Sequence, residues 1–142
     1  MANWSQNKAG SWLQVRHAVL AICEKPASYL LDLINDLSLD PDAFERFIAC
    51  VCCDSFFQYG EGYFVHMPAS LVEDYRFNGA VEISWDQFDG QERIQSIPLD
   101  TFVLCMKIII LYYASSINTT YQPWNRIDML DRILKKHKDV ST

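Results

Sequence analysis

The residues able to do chemistry in this 142-residue chain are few: three histidines, five cysteines and some paired carboxylates. A hydrolase or transferase needs a nucleophile, a base that activates it and a donor for the charge that develops. His17 falls in an amphipathic helical pattern and His137 in a lysine-rich helical end, so both read as surface residues. His66 is the candidate base. It stands in a short β-type run before Pro68, where strand alternation turns it away from Val65, and Glu61, Glu73 or Asp74 could partner it. The pairs Glu73-Asp74 and Asp86 with Asp89 offer carboxylates for acid–base or metal chemistry, but such clusters usually belong to solvated surface.

The cysteines point away from metal. Cys50, Cys52 and Cys53 sit in one apolar run, Cys23 and Cys105 in two others, and in such surroundings cysteine behaves as a small hydrophobe. No second cysteine or histidine cluster follows at zinc spacing. Gly60-Glu61-Gly62 lacks the third glycine and following helix of a phosphate loop, and its glutamate would repel phosphate. No Gly-x-Ser-x-Gly, His-Glu-x-x-His or Walker pattern occurs. The expectation is a chain without cofactor or metal, and not an enzyme. Free thiols suit a reducing compartment, and Met1–Gly10 is polar with no apolar signal core, so a cytoplasmic location is expected.

A net charge of −6 and a pI near 4.9 disfavour direct contact with nucleic acid or anionic membrane, which select surfaces dense in Lys and Arg. A basic protein partner fits. Residues 71–100 hold Glu73, Asp74, Glu82, Asp86, Asp89, Glu92 and Asp100 against Arg76 and Arg93, whereas the segment from Thr101 onward is net basic. The apolar run Phe102–Tyr113 is interrupted by Lys107 and falls short of the roughly 20 residues that cross a bilayer, so it reads as a core helix.

One domain, residues 1–142, has to position these groups, and its order is segregated. Trp12, Val15, Val19, Leu20 and Cys23 follow helical spacing, Pro26 interrupts, and Tyr29, Leu30, Leu33, Ile34 and Leu37 resume it. Asp40-Pro41 is a cap followed by a proline suited to the first helical position, opening a helix whose face uses Phe44, Phe47, Ile48, Val51, Cys52 and Phe56 and which should end by Tyr59-Gly60. Gly62–Met67 reads as a short strand, and Ala69–Tyr75 as a helical turn or a loop. Ala80–Trp85 and Arg93–Ile97 form a hairpin around Asp89-Gly90. Val81, Ile83 and Trp85 alternate with Glu82 and Ser84, so one face meets the core. Leu99, Phe102, Val103, Met106, Ile109, Ile110 and Tyr113 mark a central helix, and Ile127, Leu130, Ile133 and Leu134 a last one. The expected fold is α+β: N-terminal helices, a small antiparallel sheet of about three strands, and two C-terminal helices packed on it.

The stretch Tyr59-Gly60-Glu61-Gly62-Tyr63, the Met67-Pro68 step, the strand Gly79-Ala80-Val81-Glu82-Ile83, a second strand ending at Ile97 and the aromatic, apolar helix after it resemble the immunity proteins of bacterial contact-dependent growth inhibition systems, particularly those paired with ribonuclease toxins. The resemblance covers well under half of the chain. It implies a small non-catalytic protein that binds a cognate toxin domain and occludes its active site or substrate surface, and it carries no site residue over. From the residues themselves, the expected contact consists of Glu82, Asp86, Asp89 and Glu92 with Glu73 and Asp74, anchored by Trp85, Phe88 or Tyr75. The alternatives are an adaptor domain with another basic partner, and a small enzyme using His66.

Overall fold

The computed structural model describes residues 9–23, 28–60, 62–86 and 92–140. Helices α1 (Ala9–Ile22), α2 (Ser28–Leu37) and α3 (Pro41–Cys52) lead into strands β1 (Phe57–Tyr59) and β2 (Tyr63–His66). Helix α4 (Pro68–Glu73) precedes β3 (Ala80–Asp86) and β4 (Glu92–Pro98), and α5 (Leu99–Tyr112) and α6 (Trp124–Val140) complete the order. The class is α+β, as expected, with helices at both ends of the chain and a four-stranded antiparallel sheet.

Helix α3 starts where the sequence places it: Asp40 accepts a hydrogen bond from the Ala43 N–H at 3.1 Å, and Pro41 occupies the first helical position. It ends earlier than expected. The Asp54 N–H reaches the Val51 carbonyl at 3.1 Å and the Ser55 N–H the Cys50 carbonyl at 2.9 Å, closing a Schellman motif with Asp54 in the left-handed region at φ 57. That position favours glycine, and an aspartate there hid the stop. The chain released by the turn forms β1, a strand that helical periodicity had absorbed, and Phe56, expected on the core face, is 41% exposed.

The sheet is a meander in the order β1-β2-β3-β4. Its register aligns Phe57, Val65, Ile83 and Gln95 in one row and Tyr59, Tyr63, Trp85 and Arg93 in another. These rows share the helix-covered face: Phe57, Val65 and Ile83 are buried, and the Gln95 Oε1 accepts the Tyr29 N–H of α2 at 3.0 Å. Glu82, Ser84, Ile94 and Ser96 occupy the opposite face by the same alternation. The turn residues expected at Asp89-Gly90 lie outside the described residues.

Helix α5 organises the core. Leu99, Phe102, Val103, Met106, Ile109, Ile110 and Tyr113 are all buried, as their spacing predicts. A π-helical turn, Tyr113–Ile117, continues it, so the helix runs from Leu99 to Ile117, 19 residues, long and apolar enough by length and composition to cross a membrane. It exceeds the run visible in sequence because Ala114 to Ile117 remain helical. Lys107 is ion-paired with Asp131 of α6, and α5 packs on α1, α6 and the sheet. Leu130, Ile133 and His137 form the buried stripe of α6.

Candidate functional site

Two of the acidic residues near the hairpin, Asp74 and Glu82, share one arginine. Helix α4 ends in a second Schellman motif, in which the Tyr75 N–H bonds the Val72 carbonyl at 3.0 Å and the Arg76 N–H the Leu71 carbonyl at 2.8 Å. Tyr75 takes the left-handed position at φ 57, and it is 98% exposed. Arg76 then turns back, pairing with Glu82 at 3.1 Å and with Asp74 at 3.5 Å. Glu73 is exposed one residue earlier. The turn thus brings Asp74 and Glu82 to the Arg76 guanidinium, with Glu73 and Tyr75 exposed beside Asp74 in the chain.

The remaining expected contact residues are placed differently. Trp85 lies on the helix-covered face, stacked on Tyr63 with centroids 5.7 Å apart and planes 5° apart, and edge-on to Tyr29 at 6.2 Å. It therefore stands on the opposite face of β3 from Glu82. Asp86 and Glu92 are the last paired residues of the hairpin, while Phe88 and Asp89 lie outside the described residues. Phe77, in the loop after α4, packs on the core and tilts against His137 at 5.4 Å.

A second acidic and aromatic surface went unread in the sequence. Asp32 and Asp36 are exposed on α2, one helical turn apart, beside the Tyr59 and Tyr63 side of the sheet. Burial, followed by the Asp36 and then the Asp32 carboxylates, raises the Tyr63 pKa. Burial and then Asp40 and Asp36 raise that of Tyr59. The spacing of Asp32, Asp36 and Asp40 was visible, but their proximity to these tyrosines is tertiary.

The histidines and cysteines are dispersed over the fold. His17 is exposed, as expected. His66 faces outward, with Nδ1 3.5 Å from the Ser70 Oγ and its ring 5.0 Å from that of Phe56. His137 is not a surface residue: it is 4% exposed and bonded to Asp54 across the fold, because the last turn of α6 tucks under the α3–β1 connection. Among the cysteines, Cys52 and Cys105 are buried, Cys23 and Cys50 half-buried, and Cys53 exposed, since the helix turn ending α3 swings it out of the apolar run. Among the described residues no cluster of three or more His, Cys, Asp or Glu could hold a metal. A shallow cleft of about 210 Å³ between α3 and α6 is lined by Cys53, Asp54, Arg132 and Lys136 among others. It is smaller than the clefts of about 300 Å³ and upward that enclose ordinary small-molecule ligands.

No family model, curated protein or solved structure matches the chain.

Proposed function

We propose that this chain is an immunity protein of the contact-dependent growth inhibition type, acting in the cytoplasm. It binds a cognate toxin domain, a ribonuclease or other nuclease, and covers the active site or substrate surface. The observation that carries the reading is Tyr75. A large aromatic side chain is held wholly in solvent on a backbone conformation that costs an L-residue about 1–2 kcal/mol. The left-handed backbone closes the cap of α4, a position that favours glycine, but the exposed ring adds nothing to that cap, and strained backbone recurs where a side chain is displayed for recognition. Glu73 and Asp74 precede Tyr75 in the chain and Asp74 shares Arg76 with Glu82, carboxylates that a nuclease's RNA-binding or DNA-binding surface would attract. The aromatic anchor and acidic rim belong together energetically: the ring supplies buried area at low entropic cost, and the carboxylates accelerate association.

The test is co-purification with the polypeptide encoded immediately upstream, followed by a nuclease assay of that polypeptide with and without this chain. Stoichiometric suppression of cleavage is expected, and weakened suppression by the Glu73→Lys, Asp74→Lys, Glu82→Lys triple variant. Absence of both binding and suppression would overturn the reading. A parallel charge reversal of Asp86, Asp89 and Glu92 asks whether the hairpin end joins the contact.

A further inference from the structure

Two free thiols that the proposed function does not use meet at the seam between α1 and α5. The Sγ of Cys23 lies 3.8 Å from the Sγ of Cys105, although 82 positions separate them in the chain. Cys23 directly follows α1, its N–H bonded to the Val19 carbonyl at 3.3 Å, and its side chain is half-buried. Cys105 is fully buried midway along α5. Forming a disulfide would require the sulfurs to close by about 1.8 Å, to a bond of about 2.05 Å.

The two partners differ in access. Among the described side chains of α1 only Val19 is fully buried, Leu13 and Leu20 are 51% and 40% exposed, and Val15, Ile22 and Cys23 are partly buried against the core. Cys23, just past its last turn, keeps part of its side chain open to solvent. Cys105 is fixed in the central helix, and burial followed by the neighbouring Cys23 raises its thiol to about 12. Cys23 is therefore the thiol that meets an oxidant, and Cys105 the one that resolves the product.

We propose that Cys23 and Cys105 form a redox-modification site, in which a low-molecular-weight disulfide such as oxidised glutathione converts the pair into an intramolecular disulfide tying α1 to α5. The Cys23 thiolate attacks one sulfur of oxidised glutathione, forming a mixed disulfide and releasing one glutathione, which takes up the Cys23 proton. The Cys105 sulfur then attacks the Cys23 sulfur, the Cys23–glutathione bond breaks, and the second glutathione leaves with the Cys105 proton. Two electrons pass from the cysteine pair to the oxidant. The new bond closes a long loop, which restricts the unfolded chain and ties α1 to the central helix.

Treating the full chain with oxidised glutathione, trapping free thiols by alkylation and mapping peptides without reduction tests the assignment. Because exposed Cys53 competes for the oxidant, the Cys53→Ser chain is treated in parallel. In both, a peptide pair linking Cys23 to Cys105 is expected, lighter than the reduced peptides by two hydrogens, free of glutathione and cleaved by dithiothreitol. The oxidised chains should unfold at a temperature several degrees above the reduced ones, and Cys23→Ser should lose both the link and the shift. A Cys23 that stays glutathionylated beside an alkylatable Cys105, a Cys23 that does not react, or an equal thermal shift in Cys23→Ser would each overturn the proposal. Cys23→Ser carries the test because its side chain is only half-buried, whereas replacing buried Cys105 could itself disturb the core.

Discussion

The Nε2 of His137 donates a hydrogen bond to the Oδ2 of Asp54 at 2.6 Å, joining the last turn of α6 to the residue that stops α3. The other carboxylate oxygen accepts the Ala69 N–H at the start of α4 at 3.0 Å. One side chain thus ties three helices together, and these bonds offset the left-handed backbone that Asp54 adopts.

Asp54→Ala should therefore destabilise the fold by about 3 kcal/mol, because it strands a buried histidine and an N-terminal helix donor while leaving the strained backbone in place. Asp54→Asn keeps an acceptor for Ala69 and tolerates the left-handed region, so its loss should be about half as large. Urea denaturation of the two variants provides the comparison. An alanine variant as stable as the natural chain would show that the pair contributes nothing.

Alkaline pH should weaken the fold. Burial raises the Cys52 thiol from 9.0 to about 12, and Cys105 is raised from 9.0 to about 12 by burial and then by Cys23. An unfolded chain would release those protons from about pH 9 upward while the native chain retains them, so stability is intact below about 9 and falls as pH rises toward 12. Buried Tyr63, Tyr112 and Tyr113, raised mainly by burial, add in the same direction above about pH 10. Urea midpoints should decline between neutral pH and about pH 10.5, and Cys52→Ala should flatten part of that decline. A flat profile in the natural chain would contradict the assignment.

The legible parts of the fold were those with local causes. Asp40-Pro41 sets the start of α3 within its own turn, and the apolar face from Leu99 to Tyr113 fixes α5 by periodicity alone. Alternation along Val81, Ile83 and Trp85 placed them on one face and Glu82 on the other. Features set by distant partners were hidden. Asp54 ends a helix that sequence would extend, because its compensating bonds go to Ala69 and to His137, 83 residues away. His137 reads as polar surface until that partner is known. At the candidate site the acidic composition was evident, but Arg76 as its centre and Tyr75 as its exposed point depend on a helix cap that usually takes glycine.

Arg76 restrains the acidic site electrically. Removing its guanidinium in Arg76→Ala leaves Asp74 and Glu82 without their shared countercharge. Exposed ion pairs contribute at most about 1 kcal/mol, so stability should change little. Association with a basic toxin domain should accelerate, by about 2–5-fold at low ionic strength, with the gain lost as salt screens the field. Stopped-flow association rates across a salt series measure this. Slower association of Arg76→Ala would mean that the arginine itself touches the partner.

Tyr75 separates recognition from folding because two substitutions make different demands on the same backbone. Tyr75→Gly removes both the ring and the left-handed strain, so the chain should become more stable by about 1 kcal/mol. Tyr75→Ala removes only the ring, which is 98% exposed, so its stability should match the natural chain. If the ring anchors a toxin domain, both variants should lose affinity by about tenfold or more despite their unequal stabilities. Calorimetric titration set beside urea denaturation reads the two quantities independently. Undiminished affinity in both variants would remove Tyr75 from the interface and leave the acidic residues to carry the contact without it.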